Sequence, residues 1–194
     1  MNLPFPLILA STSKYRGQLL AQLGWPFEAI APGVDEDKLK DKGLSPADLA
    51  TTLSKYKAEA VFAKRPGSCV IGSDQVCSMN GTIFGKPGSP ERAAEQLSKM
   101  QGRSHELLTA VTVIHPGGTE TFLNCTTLHM RPLNLKEIHA YVARDLPLDC
   151  AGSYKLETSG IKLFKNIEMS DHTAIIGLPL IELTSTLLKL GYPL

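Results

Sequence analysis

Apolar and polar positions along this chain switch repeatedly between the two-residue period of strands and the 3.6-residue period of helices. An apolar run at 7–10, Leu7-Ile8-Leu9-Ala10, stops at Ser11-Thr12-Ser13 and predicts a buried strand. Leu19, Leu20 and Leu23 then share one face, which predicts a helix over 13–23, ended near Gly24 with Pro26 just beyond. A short strand is expected at 27–30. Residues 32–43 read as a polar loop carrying Asp35, Glu36 and Asp37. Ser45-Pro46 opens a second helix to about Ala63, with Ser as N-cap and Pro in the first turn. Residues 69–73 read as a buried strand, and Asn80-Gly81 suits a type I′ hairpin turn. Ser89-Pro90 opens a third helix through Met100. Long β-rich runs at 107–115 and 121–130 flank Pro116-Gly117-Gly118, a hairpin signal. A helix is expected at 135–143, a mixed, Gly-punctuated stretch at 151–173, and a closing helix at 179–190 that stops at Gly191. Early alternation of strands and helices followed by long hairpin strands implies an α/β or α+β fold with a mixed sheet. With no repeat and no dividing linker, the expectation is a single domain over 1–194.

Composition narrows the function classes. The 194 residues suffice for one sizeable core or two small lobes. Lys and Arg number 20 against 19 Asp and Glu, so bulk charge advertises neither a nucleic-acid nor a membrane surface. Any anion must therefore be bound by locally placed cations. Four cysteines without a CxxC pair read as reduced thiols of a cytoplasmic protein. Five scattered histidines lack zinc-ligand spacing. No apolar run approaches transmembrane length, and no basic segment precedes the apolar N-terminus, so neither a membrane span nor a signal peptide is expected.

Several polar residues sit where apolar ones would be ordinary. The strand–hydroxyl turn–helix layout at 7–16 gathers free backbone N–H groups, and Arg16 starts on the buried stripe of its helix. The same residues also serve as plain helix caps with an arginine that reaches solvent. Lys57 lies four residues from both Leu53 and Val61, on the apolar stripe of the second helix. Its ammonium is either buried and paired or carried out to water. Asp74 follows Val70-Ile71-Gly72-Ser73, at the C-terminal end of the expected strand, where open α/β sheets place ligands. Lys86 is constrained in Gly85-Lys86-Pro87-Gly88. Asp35 and Glu36 are loop carboxylates that, with Asp74, suit a hard divalent cation. As a set, inward cations and loop carboxylates describe phosphoryl chemistry.

These residues resemble the motifs of the Maf-type nucleoside triphosphate pyrophosphatases over nearly the whole chain. Ser11-Thr12-Ser13-Lys14-Tyr15-Arg16 is similar to the family's Ser-x-Ser-x-x-Arg, and Gly72-Ser73-Asp74-Gln75 to its Gly-[Ala/Ser]-Asp. Lys57-Ala58 and Gly85-Lys86-Pro87 resemble the Lys-Ala and Lys-Pro motifs, and Ala151-Gly152-Ser153-Tyr154 and Gly177-Leu178-Pro179-Leu180 two late motifs. The resemblance implies an α/β fold with an elongated mixed β-sheet, flanking helices and two lobes around a cleft, similar to inosine triphosphate pyrophosphatases. It implies hydrolysis between the α and β phosphates with a divalent metal, Mg²⁺ or Mn²⁺. Asp74 would accept the proton of the attacking water or ligate the metal. Ser11, Arg16, Lys57 and Lys86 would contact phosphates, and Glu36 would be a metal or water ligand. Tyr15, Gln75 and Glu157 occupy the specificity positions and resemble the branch that acts on 7-methyl-GTP. An aromatic ring suits that cationic base and a carboxylate suits its N1–H and N2–H donors. Gly17 stands where many members carry a second arginine. A homodimer is a family expectation. The alternatives are the same reaction on dTTP or UTP, and a nucleotide-binding regulator of septum formation without turnover.

Overall fold

The computed structural model describes residues 3–36 and 43–194. Strand β1 (Leu7–Leu9) leads through Ser11–Ser13 into α1 (Lys14–Ala21), then β2 (Phe27–Ala29) and α2 (Pro46–Phe62). Next come β3 (Cys69–Met79), β4 (Thr82–Phe84), α3 (Pro90–Met100), β5 (Ser104–His115) and β6 (Gly118–Met130). Helix α4 (Leu135–Asp145) is followed by two 3-10 turns at Ala151–Ser153 and Ser159–Leu163, then β7 (Phe164–Glu168), α5 (His172–Ile176) and α6 (Leu180–Lys189). Asp37 and the rest of 37–42 in the expected polar loop lie outside the described residues.

The strands form one seven-stranded sheet in the order β2-β1-β3-β5-β6-β7, with β4 paired to β3. β1 is parallel to both β2 and β3, whereas β4 is antiparallel to β3, so the sheet is mixed as expected. Asn80 and Gly81 both adopt positive φ, as a tight hairpin turn between Met79 and Thr82 requires. Helix starts follow the hydroxyl signals: Ser13, Ser45 and Ser89 each accept a backbone N–H of the first turn. At α4 a capping box joins Asn134 and Glu137.

The chain divides into two compact units. The first comprises Met1–Asp74, Thr109–Asn124 and Asp171–Leu194, and the second Gln75–Leu108 and Cys125–Ser170. Strand alternation gives the first unit a core on each face of its part of the sheet. Leu7, Leu9, Cys69 and Ile71 pack with Leu19 and Leu20 of α1 and Leu183 and Leu187 of α6. Ile8, Ala10 and Val70 point the other way, against Ala58 and Val61 of α2. In the second unit α3 packs on α4 and on the turn at Ala151–Ser153.

One expectation is corrected. The strand read as 69–73 runs on to Met79, so Asp74 lies in the middle of β3 and not at its end. The polar pair Ser73-Asp74 interrupts the apolar run without interrupting the backbone pairing. Both side chains are buried with hydrogen-bond partners, which removes the cost that would have ended the strand there.

Helix α2 rests on β3 at Gly72. A Cβ there would fall 2.2 Å from the Ser54 carbonyl oxygen and 2.7 Å from the Ala58 nitrogen. Both are backbone atoms, so relief requires the helix to move. Gly72→Ala is expected to destabilise the fold by about 3 kcal/mol, the upper range for overpacking. A loss of unfolding free energy in urea titration of less than a third of that would show that α2 is not seated on this glycine.

Candidate functional site

Period-two geometry sends Ser73 and Asp74 to opposite faces of β3. Asp74 shares its face with Val70 and Gly72, towards α2. On α2, Lys57 is one turn from Leu53 and from Val61, both buried, and projects to the same place. The absent side chain of Gly72 lets helix and strand approach closely enough for them to meet. Lys57 Nζ lies 2.6 Å from Asp74 Oδ1 and 2.8 Å from Glu36 Oε1. Lys57 is only 6% exposed and Asp74 7%. The inward reading of Lys57 therefore holds.

The electrostatics follow from this burial. Desolvation pushes the Asp74 carboxyl above its ordinary range, against the pull of the Lys57 and Arg16 cations, while the Glu36 charge pushes it further up. Arg16 is held below its ordinary value by burial, offset in part by Asp74 and Glu36. Its guanidinium stays charged nonetheless. Arg16, Glu36, Lys57 and Asp74 thus form one interacting set in the first unit.

Arg16 is fixed from a part of the chain that sequence reasoning left without a role. Its Nε donates to the Gly177 carbonyl at 2.9 Å, and Ser73 Oγ donates to the same oxygen at 2.9 Å. Gly177 ends α5 with φ +119°, and a Cβ there would lie 3.4 Å from Arg16 Nε. Asp171 steadies this corner. Its Oδ1 accepts from the Thr173 N–H at 2.8 Å and the Thr173 hydroxyl at 2.6 Å, and its Oδ2 accepts from the Ile181 N–H at 2.8 Å. The Gly-Leu-Pro-Leu stretch at 177–180 was the available signal for this corner. Nothing in its spacing pointed to Arg16, 161 residues away.

Ser11 is buried directly after β1, and its Oγ accepts from the Ser13 N–H at 3.1 Å. Ser13 Oγ in turn caps the Arg16 N–H at 3.5 Å. Tyr15 is half-buried, with Lys14 Nζ 5.0 Å from its ring centroid. In the second unit Gln75 is half-buried on β3, Lys86 is exposed after β4, and Glu157 is exposed between the two 3-10 turns. Among the described residues no group of three or more His, Cys, Asp or Glu side chains is placed to hold a metal. Glu36 and Asp74, converging on one ammonium, are the hard oxygen donors that a divalent cation would use. Such a cation takes its remaining ligands from phosphate and water, so two carboxylates suit Mg²⁺ or Mn²⁺. No helix among the described residues is long and apolar enough to cross a membrane.

Comparison with known proteins places this geometry in context. The 7-methyl-GTP pyrophosphatase of Bdellovibrio bacteriovorus is 50% identical over 177 residues, 91% of this chain and 93% of the relative. The protein of the same name from Bordetella pertussis is 49% identical over 97% of this chain and 94% of its own. That from Pseudomonas aeruginosa is 43% identical over 95% and 96%. Among solved structures, the Staphylococcus aureus Ham1 protein matches with a TM-score of 0.53 at 16% identity, covering 95% of this chain and 98% of its own. That likeness bears out the expected mixed α/β architecture and speaks to the fold alone. Residues 6–190 match the Maf-like protein family, and the chain belongs to it.

Proposed function

We propose that this protein hydrolyses the α–β phosphoanhydride bond of a nucleoside triphosphate, with 7-methyl-GTP as substrate, releasing the monophosphate and pyrophosphate. The observation that carries the reading is the buried Lys57 ammonium held between Asp74 and Glu36, in a chain half identical to a protein named for that reaction. The family match over 6–190 spans both units and supports reading 1–194 as one Maf-like domain. The free cysteines, Cys69 and Cys77 buried among them, are in keeping with a cytoplasmic location.

In this reading the side chains divide the work. Asp74 takes the proton as water adds to phosphorus and the anhydride bond breaks, and pyrophosphate leaves with the bonding pair. A carboxyl whose affinity for protons is raised by burial is a better base than an exposed one. Ser11, Arg16, Lys57 and Lys86 are assigned to the phosphates, where cations in a poorly solvated site offset growing negative charge. Glu36 would hold the divalent metal, which when bound would neutralise phosphate charge and acidify bound water, and Asp74 would be its second ligand as the alternative to accepting the proton. Tyr15 is assigned to stack on the base, Gln75 to flank it, and Glu157 to accept from its N1–H and N2–H groups. A 7-methylated guanine carries positive charge, so a ring face and a carboxylate both favour it over GTP. The Lys14 ammonium over the Tyr15 ring is an example of the same attraction within the chain.

Pyrophosphate release from 7-methyl-GTP, GTP, dTTP, UTP and CTP with Mg²⁺ or Mn²⁺ tests the reading. Wild type is expected to prefer 7-methyl-GTP. Asp74→Asn should lose at least about a hundredfold in kcat, the lower range for general-base removal. Glu157→Gln should narrow the preference for the methylated base. Preference for dTTP or UTP would keep the reaction class and overturn the assignments of Tyr15 and Glu157. Tight binding without turnover would overturn the enzymatic reading itself.

The electrostatics make a second test, in metal-free protein. With the folded-state pKa of Asp74 above its unfolded value, the folded protein binds more protons between the two. Its stability should therefore fall as pH rises through that window. Lys57→Met removes the largest downward pull, so the Asp74 midpoint should move higher still. Carbon-13 NMR of the Asp74 carboxyl reads both midpoints, and a midpoint in the variant at or below that of wild type contradicts the account.

A further inference from the structure

We propose that Asp145, the last residue of α4, is a positioning residue for base selectivity, acting by fixing the loop that carries Glu157. The inference rests on the assignment of Glu157 to base recognition.

Glu157 itself is exposed, but the residues around it are tied down. On the N-terminal side, the Lys155 N–H donates to the Tyr141 hydroxyl at 2.9 Å. Lys155 Nζ reaches the Leu146 carbonyl at 3.1 Å and Asp149 Oδ1 at 3.1 Å. On the C-terminal side, one carboxylate oxygen does most of the holding. Asp145 Oδ2 accepts from the Thr158 hydroxyl at 2.8 Å, the Ser159 N–H at 3.0 Å and the Ser159 hydroxyl at 2.6 Å. Its other oxygen accepts from Arg144 Nε at 2.9 Å, and Arg144 also donates to the Ser159 hydroxyl. The loop closes on itself as well, since the Lys155 carbonyl accepts from the Gly160 N–H at 3.0 Å. Gly160 is required there, because a Cβ would lie 2.3 Å from that carbonyl oxygen.

Anchors two residues before Glu157 and one residue after it leave little freedom for its Cα. Tyr141, Asp145 and Leu146 all belong to α4 or its C-cap. The Asp145 side chain is only 5% exposed, although it lies at a helix end. Burial alone would push its carboxyl up. Hydrogen bonds from Ser159, Arg144 and Thr158 overcome this and hold it at about 2, so the clamp is charged at any physiological pH. A carboxylate at a helix C-terminus opposes the helix dipole. Helix stability alone would favour a lysine or glycine there, and the hydrogen bonds from Ser159, Thr158 and Arg144 offset that cost.

The test is kcat/KM for 7-methyl-GTP and for GTP in wild type, Asp145→Ala, Asp145→Asn, Thr158→Val and Glu157→Gln. Asp145→Ala should lower the 7-methyl-GTP to GTP ratio about tenfold and Thr158→Val about threefold, as expected for charge-assisted hydrogen bonds. The loss should appear mainly in KM and fall more heavily on the methylated substrate, because both bases share the N1–H and N2–H donors and only the methylated one adds a positive charge for Glu157 to offset. Asp145→Asn keeps an oxygen for Ser159 and should retain most of the ratio. A clamp that only stabilised the fold would lower both substrates by the same factor, or neither, and leave the ratio unchanged. Thr158 is exposed, so its variant decides the matter if Asp145→Ala fails to fold. An unchanged ratio in Thr158→Val and Asp145→Ala, with a reduced ratio in Glu157→Gln, overturns the positioning role alone. An unchanged ratio in Glu157→Gln overturns the assignment of Glu157, and this inference with it.

Discussion

Everything placed in the first unit depends on how closely α2 can lie on β3. The missing side chain of Gly72 sets that distance, and the distance decides whether the Lys57 ammonium reaches Asp74. At 2.6 Å, with a second carboxylate from Glu36 at 2.8 Å, the ammonium satisfies two anions while almost fully withdrawn from water. A buried ion pair of this kind is no bargain for stability, because desolvating both charges costs about what their attraction returns. Its retention makes sense as preorganisation. In the proposed function the Lys57 ammonium and the Asp74 carboxylate are desolvated and paired before any phosphate arrives, so little reorganisation would be left for the moment of reaction.

The same constraint explains the second layer of contacts. A guanidinium next to a buried carboxylate would drift towards it unless something else fixed its orientation. For Arg16 that fixture is the Gly177 carbonyl, shared with Ser73 on the opposite face of β3 from Asp74. Adjacent residues of one strand therefore serve both sides of the site: Asp74 engages α2, and Ser73 braces the corner that orients Arg16. The polar interruption of β3 is thus a pair of side chains that are each satisfied, in a strand that runs on unbroken to Met79.

How far the sequence could be read depended on the range of the interaction. Lys57 was legible because its anomaly is local, a cation on an apolar helical stripe four residues from Leu53 and Val61. The hairpin at Asn80-Gly81 and the serine caps were legible for the same reason, since turn and cap chemistry acts within a few residues. Strand β3 was read too short because buried polar side chains resemble a strand end until their partners are known. Gly177 had no visible role because its partner Arg16 lies 161 residues away, whereas Asp171 is a local cap of α5 that was missed because 151–173 read only as a mixed stretch. Asp145 was hidden differently. The helix was expected to end at Ala143, and a carboxylate just past a helix end reads as solvated surface.

These two kinds of constraint also separate chemistry from selectivity. Of the residues proposed to meet the phosphates, Arg16 and Lys57 stand on α1 and α2, helices that pack on the two faces of the first unit's sheet. Glu157 is exposed on a short loop held by hydrogen bonds from Tyr141, Arg144 and Asp145 of one helix. A loop anchored in this way can change its base-contacting residue, or the tilt of its backbone, at a cost of one or two hydrogen bonds. On this view the relatives should share the Gly72–Lys57–Asp74 geometry closely. Where substrate preference differs between them, the difference should fall at Tyr15, at Gln75 and in the stretch between Tyr141 and Gly160.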